Sequence, residues 1–284
     1  MLKKITNYTI PTENAGEYFN QLAKTDAQKA GEMALQLFCM PSYGRTFSAK
    51  EEKILATSEQ KRIPVRDFEV QTYRWKGDGQ KVLLLHGWDS NATRWRPLIS
   101  LLTRANYDVL AVDAPAHGKS GNHFAHGVLF AETIGQVTTY FAPDIVIGHS
   151  FGGLASTYYF GQLNTNTTLQ KLILLGTPSK LTTSITNYHK AIGLEPTAQE
   201  AMAKEFLASF DFDYAYFTGS DFIKNIAAKG LIIHDEQDDV TPYEEALDIH
   251  AAWENSALYT TQGLGHNLMA RSVFKKVMQF CDEH

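Results

Sequence analysis

The chain has 284 residues, of which 44% are hydrophobic and 20% are charged, a balance typical of a folded globular protein. This composition excludes a disordered, collagen-like or disulfide-scaffold protein, and the length suits one α/β domain with insertions. The net charge of -5 argues against nucleic acid and anionic lipid as partners, because nothing attracts a polyanion to the chain as a whole.

The sequence carries no sign of secretion or membrane insertion. The first eleven residues lack the apolar run of a secretory signal, and no stretch approaches the roughly 18 apolar residues that a transmembrane helix needs. The two cysteines, Cys39 and Cys281, match no metal-binding or redox spacing, which favours two reduced thiols over a disulfide. We therefore expect a cytoplasmic protein.

The N-terminal part of the chain is predicted to be helical. Apolar residues recur at helix-like spacing between residues 13 and 60, and Ser48 to Glu51 forms a capping box in front of an apolar pair. We define residues 1–62 as a helical preface, which is expected to cover one edge of a sheet or to contribute to a homodimer.

Strand patterns begin after the preface. Phe68 to Trp75 alternates between apolar and polar residues, and Val82 to Leu85 is an uninterrupted apolar run, as expected for a strand with both faces covered. Strands that alternate with helices predict an α/β fold with a mainly parallel sheet. Further apolar runs, separated by helix-length segments, lie at residues 109–112, 145–147, 172–175, 231–233 and, more weakly, 258–260.

The longest interruption of this alternation lies between residues 180 and 229, and it exceeds what one crossover helix requires. It contains a second capping-box pattern from Thr197 to Glu200 and an aromatic stretch that ends at Phe217. We interpret it as a helical cap, residues 181–228, inserted between two parts of the core, residues 63–180 and 229–284. Most of its aromatic side chains are expected to pack the cap, and any that face the site would favour an apolar substrate group.

The candidate nucleophile follows the apolar run at residues 145–147. Ligands of open α/β sheets bind beyond the carboxyl ends of the strands, and this end carries Gly148-His-Ser-Phe-Gly152, a G-x-S-x-G pattern between a strand and a helix. Ser150 is therefore the candidate nucleophile, and the flanking glycines would make room for a strained turn. The alternative is a glycine-rich turn whose serine only caps the helix.

A serine hydroxyl needs a base and an orienting carboxylate before it can attack. His266, which follows the last predicted strand, is the candidate general base; the alternative is a surface histidine that caps the last helix. Two acids that follow the strand at residues 231–233 compete for the third role. Asp238, close to the apolar Val240, is favoured over Asp235. The order serine, acid, histidine is the order expected for this motif.

Acyl transfer also requires donors for the negative charge that develops on the carbonyl oxygen. The backbone amides of Trp88, in the His86-Gly-Trp88 segment after the strand at residues 82–85, and of Phe151, directly after the nucleophile, are the candidate pair. We expect His86 and His149 to pack or to hydrogen-bond a backbone carbonyl rather than to catalyse.

Two further patterns carry no predicted site. His117, His123 and His126 are close in sequence but lack a cysteine or carboxylate partner at zinc-like spacing. The segment from Gly118 to Ser120 looks like the end of a phosphate-binding loop, but Asp113 stands where that loop needs its first glycine. The sequence therefore predicts neither a metal site nor a bound nucleotide.

Taken in order, these segments resemble the α/β-hydrolase superfamily over residues 66–284. The resemblance implies an eight-stranded, mostly parallel sheet with a helical cap after strand six, and no cofactor. It gives Ser150, Asp238 and His266 the roles of nucleophile, acid and base. The preface lies outside the resemblance. The matching segments are His86-Gly-Trp88, Asp113 to Ser120, Gly148 to Gly153, the Asp238 loop and Gly265-His266.

The expected function is that of a serine hydrolase that cleaves a small or medium carboxylic ester through an acyl-enzyme. A thioesterase, an amidase, a lactonase or a carbon–carbon bond hydrolase would use the same residues, because substrate choice resides in the cap. The alternative from another class is a non-catalytic protein that binds a small molecule on the same fold. Loss of a triad residue would be its expected sign, and here all three are present.

Overall fold

The computed structural model describes residues 8–10, 13–42, 46–164 and 168–283. The sequence predicts no secretory signal in the first eleven residues, and most of these residues lie outside the described part of the chain. The chain divides into two compact units by its internal contacts. The helical unit comprises the described residues up to Met40 and Lys180–Thr218, and the sheet unit comprises Pro41–Ser179 and the described residues from Gly219 onwards.

An eight-stranded sheet forms the centre of the sheet unit. Its strands are β1 (Glu59–Val65), β2 (Phe68–Trp75), β3 (Lys81–Leu85), β4 (Asp108–Val112), β5 (Ile145–His149), β6 (Lys171–Leu175), β7 (Lys229–Asp235) and β8 (Ser256–Thr261). They lie in the order β1-β2-β4-β3-β5-β6-β7-β8. Only β2 runs antiparallel to its neighbours, β1 and β4, and every other pair is parallel.

The apolar runs in the sequence account for the centre of this sheet. Every residue of β4, β5 and β6 is buried, as expected for strands covered on both faces. Because β3 and β5 to β8 are parallel, their carboxyl ends lie along one edge of the sheet. The prediction of an α/β fold with an eight-stranded, mostly parallel sheet is confirmed.

The prediction of helix up to residue 60 is wrong at its end, where β1 begins at Glu59. All seven residues of β1 pair with β2, from Glu59 opposite Arg74 to Val65 opposite Phe68. The side chains of Ile63 and Val65 are buried, and the other five residues are exposed. Two apolar residues at the end of a charged segment are too weak a signal of alternation to predict a strand.

Helices flank the strands and build the helical unit. They are α1 (Ala15–Ala23), α2 (Ala27–Phe38), α3 (Ala49–Leu55), α4 (Arg96–Arg104), α5 (Gly127–Phe141), α6 (Phe151–Tyr158), α7 (Leu181–Ile192), α8 (Pro196–Phe210), α9 (Gly219–Phe222), α10 (Tyr243–Ala252) and α11 (Arg271–Asp282). Short 3-10 turns precede α4 at Ala92–Trp95 and follow α8 at Tyr214–Tyr216.

One of the two predicted capping boxes is formed. Ser48 caps α3 by accepting from the amide of Glu51, whose carboxylate accepts from the amide of Ser48 in return. The capping box predicted at Thr197 is wrong, because α8 begins one residue earlier, at Pro196. Proline suits the first position of a helix, where no partner exists for a backbone N–H. Thr197 therefore lies inside the first turn.

Two distant parts of the chain pack together in the helical unit. A Cβ atom at Gly31 of α2 would lie 2.3 Å from the carbonyl oxygen of Ala201 in α8, so the two helices approach closely only because residue 31 is glycine. The Tyr188 hydroxyl donates to the carbonyl of Ala34 at 2.9 Å. The side chain of Asn20 donates to the carbonyl of Gly193 at 2.9 Å. The N-terminal helices thus have the inserted helices as packing partners.

The aromatic stretch of the insertion packs largely on itself. The ring of Phe206 lies 4.5 Å from those of Phe210 and Tyr214, and the rings of Phe212 and Tyr216 lie 4.7 Å apart. Contacts of this kind stabilise the helical unit, as expected for most of these residues.

The two units divide the chain differently from the domains expected from the sequence. The expected preface, residues 1–62, is split: α1 and α2 belong to the helical unit, whereas α3 and the start of β1 belong to the sheet unit. Within the insertion, the helical unit ends at Thr218, and the following helix, α9, belongs to the sheet unit. The homodimer stays a prediction.

Cys39 and Cys281 are both free and buried. Burial raises the pKa of each thiol to about 12, so both are protonated at neutral pH. Among the described residues, no helix combines the length and the apolar character that crossing a bilayer would require.

Candidate active site

Ser150 lies at a sharp turn between β5 and α6, within the sheet unit. Its backbone has φ 50° and ψ -119°, a conformation that is costly for any residue other than glycine. The turn is possible because its neighbours lack side chains. A Cβ atom added at Gly152 would lie 2.5 Å from the carbonyl oxygen of His86. A Cβ atom added at Gly148 would lie 2.7 Å from the Cα of Gly153.

Three side chains form one hydrogen-bonded chain at this edge of the sheet. The Ser150 hydroxyl lies 2.9 Å from Nε2 of His266, and Nδ1 of His266 lies 2.8 Å from Oδ2 of Asp238. With Nδ1–H donating to the carboxylate, Nε2 is free to accept the serine proton. The structure therefore brings together the three residues that the sequence selected, from the turn after β5, the loop after β7 and the loop after β8.

The Asp238 carboxylate is fully shielded from solvent and is surrounded by donors. Oδ1 accepts from the amides of Val240 at 2.9 Å and Thr241 at 2.8 Å. Nε2 of His234 lies 3.3 Å from Oδ2. Burial alone would raise the pKa of Asp238, but the hydrogen bonds from His234, His266 and Thr241 hold it well below its usual range. Asp238 is thus a carboxylate at neutral pH.

Asp235, the competing acid, has different partners. Its Oδ2 accepts from the Thr261 hydroxyl at 2.7 Å and from the amide of Leu264 at 3.0 Å, and its Oδ1 accepts from the amide of Gln237. These bonds tie the end of β7 to the loop that carries His266. Asp235 therefore shapes this loop, while Asp238 contacts the histidine ring.

The segments that carry the two amides predicted to bind an oxyanion come close to Ser150. Phe151 is the first residue of α6, and the rings of Trp88 and Phe151 lie 5.3 Å apart. The Trp88 loop runs close to the nucleophile, because a Cβ atom at Gly87 would lie 3.0 Å from the Cβ of Ser150. Both amides are thus attached to segments that meet at the serine.

His86 holds the loop that carries Trp88 through two hydrogen bonds. Its Nδ1–H donates to the carbonyl of Gly87 at 2.7 Å, and its Nε2 accepts from the amide of Ala114 at 2.9 Å. This pattern requires a neutral ring, and burial followed by repulsion from His117 lowers the pKa of His86 well below its ordinary value. The expectation that His86 hydrogen-bonds a backbone carbonyl is confirmed.

The segment from Asp113 to Ser120 is organised by the buried Asp113 carboxylate. This carboxylate accepts from the amides of Ala92 at 2.8 Å and Lys119 at 2.9 Å, and from the Tyr73 hydroxyl at 2.9 Å. Burial raises the pKa of Asp113 to about 6 despite these donors. A side chain at Gly118 would collide with this carboxylate, since a Cβ atom there would lie 2.1 Å from it.

His117 and the nearby His126 have local structural partners. His117 donates to the carbonyl of Pro115 and accepts from the amide of Asp89, and His126 caps α5 by accepting from the amide of Leu129. Among the described residues, no group of three His, Cys, Asp or Glu side chains could hold a metal ion.

Sequence reasoning missed Arg94 in the turn before α4. Its two terminal nitrogens donate to the side-chain and backbone oxygens of Asn267, at 3.0 and 2.7 Å. Burial lowers the pKa of Arg94 to about 10, which still leaves it charged at neutral pH. Arg94 and Asn267 are 173 positions apart, so no local pattern could pair them.

The comparisons with known proteins agree with this architecture. A model described as "Alpha/beta hydrolase family" matches residues 82–273. A pimeloyl-acyl-carrier-protein methyl ester esterase of Vibrio parahaemolyticus is 29% identical over 50% of this chain and 52% of its own. A human serine hydrolase-like protein is 37% identical over 35% of this chain and 51% of its own. The chain thus spans about half the length of these curated relatives.

Solved structures resemble the fold at lower sequence identity. An esterase from Exiguobacterium antarcticum has a TM-score of 0.62 and 20% identity, with 79% of this chain and 100% of that chain covered. A bromoperoxidase from Bacillus anthracis has the same TM-score and coverage with 17% identity. At such identities the likeness concerns the fold.

Proposed function

Because the chain belongs to the alpha/beta hydrolase family, we propose that it is a serine hydrolase that cleaves a small or medium carboxylic ester through an acyl-enzyme. One observation carries the proposal. A strained serine lies 2.9 Å from a histidine nitrogen, and the other nitrogen of that ring lies 2.8 Å from a buried carboxylate. This is the arrangement that activates a serine hydroxyl for attack on a carbonyl carbon.

The proposed reaction has two halves. In the first, His266 removes the proton of Ser150 as its oxygen attacks the ester carbonyl, and Asp238 stabilises the imidazolium that forms. The amides of Trp88 and Phe151 donate to the oxyanion. His266 then protonates the leaving alcohol, and in the second half it activates a water molecule that hydrolyses the acyl-enzyme and regenerates Ser150.

The expected substrate class rests on the same residues and on the relatives. The Vibrio relative is named an esterase of a pimeloyl-acyl-carrier-protein methyl ester. For this chain we propose carboxylic esters with a small alcohol, to be compared with thioesters, amides and lactones of the same acyl group. All of these share the tetrahedral intermediate that two amide donors would stabilise.

The first test is covalent labelling by a fluorophosphonate, which reacts with an activated serine. We expect the native protein to be labelled and to hydrolyse short p-nitrophenyl esters, while Ser150→Ala and His266→Ala do neither. Ser156→Ala is the matched control, because Ser156 lies in α6 six positions away and its hydroxyl donates only to the carbonyl of Gly153. This variant should be labelled like the native chain.

A different outcome would move the protein to another class. If the native protein folds but shows neither labelling nor turnover of esters, thioesters, amides or lactones, the proposed activity is wrong. A non-catalytic protein that binds small molecules would then be the remaining explanation. Turnover that survives Ser150→Ala would place the chemistry on other residues.

A further inference from the structure

His149 is the last residue of β5, directly before the nucleophile, and its side chain contacts the backbone of the loop after β8 that carries His266, which we call the histidine loop. Its Nε2 lies 2.9 Å from the carbonyl oxygen of His266, and the two rings are 5.0 Å apart at 57°. His149 is a buried residue, with 5% of its surface exposed. Two consecutive residues therefore contact His266: Ser150 contacts its side chain and His149 contacts its backbone.

We propose that His149 is a positioning residue that holds the His266 backbone against the nucleophile turn, and so sets the distance between the Ser150 hydroxyl and the His266 ring. The inference rests on the proposed function, since it concerns how the reacting groups of that reaction are held at the right distance. His149 itself contacts neither the serine hydroxyl nor a predicted oxyanion donor through a hydrogen bond.

The partners of His149 fix which of its nitrogens carries the proton. A carbonyl oxygen can only accept, so Nε2 must be the protonated nitrogen. The other nitrogen, Nδ1, is buried and has no hydrogen-bond partner among the residues that the structure describes. A second proton on Nδ1 would create an unpaired buried cation, which is strongly unfavourable. His149 is therefore a neutral donor with a single defined tautomer.

Charged neighbours of His149 favour the same state. The pKa of His149 is lowered well below its ordinary value, first by burial and then by the charges of Arg94 and His266. Smaller effects, which include the charge of Asp238, oppose this shift. In the proposed reaction His266 becomes an imidazolium, and a neutral His149 avoids a second positive charge 5.0 Å away. The donor thus remains unchanged while the base gains and loses its proton.

The packing of the Trp88 loop leaves room for this ring only because residue 87 is glycine. A Cβ atom at Gly87 would lie 2.8 Å from Nδ1 of His149 and 3.0 Å from the Cβ of Ser150. The ring is thus confined between the Trp88 loop and the histidine loop. This confinement favours a flat side chain with a donor on its far end, and phenylalanine would keep the shape while removing the donor.

The test compares His149→Phe, which keeps a ring without a donor, with His149→Gln, whose amide can donate at a similar reach. Tyr107→Phe is the control for stability, because it removes one hydrogen bond, to Asp282 at 2.6 Å, beside the amino end of β4. We expect His149→Phe to lower kcat for a short ester and the rate of fluorophosphonate labelling together, by about tenfold or more, with KM nearly unchanged. His149→Gln should regain most of this loss, and Tyr107→Phe should show none.

Two results would overturn the inference. One is native kcat in folded His149→Phe, and the other is an equal loss in His149→Gln and His149→Phe. If His149→Phe fails to fold, nitrogen NMR of the native protein decides instead: the inference requires a neutral Nε2–H tautomer that does not titrate between about pH 5 and 8, and an Nδ1–H tautomer contradicts it. Because native labelling is measured beside these variants, failure of the proposed function would be recognised separately.

Discussion

The guanidinium of Arg94 donates two hydrogen bonds to Asn267, the residue directly after the proposed general base. One reaches the Asn267 side chain and the other its backbone carbonyl. Together with the bonds from Leu264 to Asp235 and from His149 to the carbonyl of His266, they fix the histidine loop at three of its residues.

Replacement of Arg94 by methionine removes both of these bonds while keeping a long side chain. We predict that kcat/KM for a short ester falls by about tenfold, equivalent to about 1.4 kcal/mol of transition-state stabilisation. Asn267→Ala removes only the side-chain acceptor, so its loss should be smaller. An Arg94→Met protein with native kinetics would show that the remaining contacts suffice.

The two competing aspartates should respond differently to the same change. Asp238→Asn keeps the size of the side chain but no longer holds the His266 ring in its tautomer, so we predict a fall in kcat of about 10⁴-fold. Asp235→Asn should mainly lower stability, by about 1–3 kcal/mol, because a buried acceptor loses part of its bonding. Ester kinetics and urea unfolding of both variants give the comparison, and the reverse ranking of kcat would reassign the acid.

Stability should fall in acid because several histidines are buried in the neutral form. Burial and, to a smaller extent, the positive charge of Arg66 lower the pKa of His126 to about 3. A histidine in the unfolded chain takes up a proton near pH 6.5. Unfolding therefore takes up protons below about pH 6.5, so the stability present above that pH is progressively lost as the pH falls toward 3.

His126→Asn tests this pH dependence, because asparagine can still cap α5 but does not titrate. We predict that the variant loses less of its unfolding free energy between about pH 7.5 and about pH 5 than the native protein does. The exposed His123 offers the control His123→Asn, which should behave like the native chain. An unchanged loss in His126→Asn would contradict the assignment.

Lys171 stabilises the end of α11 from the start of β6. The Lys171 side chain is buried, and its Nζ donates to the backbone carbonyls of Cys281 at 2.6 Å and Glu283 at 2.5 Å. Lys171→Met should lower the free energy of unfolding by about 1–3 kcal/mol, since both carbonyls lose a charged donor. Lys275→Met, at an exposed position of the same helix, should be close to neutral in a urea titration. Equal stabilities of the two variants would argue against this role.

The sheet and the site were predictable where the signal is local. Buried parallel strands are uninterrupted apolar runs, and the end of such a run marks the edge at which Ser150 and Asp238 lie. The sequence favours Asp238 over Asp235 because Asp238 lies close to the apolar Val240, but the Val240 side chain is exposed in the structure. In the structure, Asp238 is the acid that contacts the His266 ring.

Long-range pairings were not predictable from one sequence. The bonds from Arg94 to Asn267 and from Lys171 to the end of α11 join positions more than a hundred residues apart, and nothing in either local segment announces them. A lysine at the start of a strand usually suggests solvent, yet Lys171 is buried because carbonyl groups of a helix end surround its Nζ. The packing of α2 on α8 was also not predictable, because the two helices lie far apart in the sequence and their close approach depends on one glycine.

The construction of the helical unit from two separated segments has a consequence for biosynthesis. Its N-terminal helices end at Phe38, but α8, against which Gly31 packs, begins only at Pro196. At about 5–20 residues per second, a ribosome needs roughly ten to thirty seconds to make the intervening chain. During that interval the apolar faces of α1 and α2 lack their native partners, so the nascent chain is a candidate client for chaperones until the insertion has been synthesised.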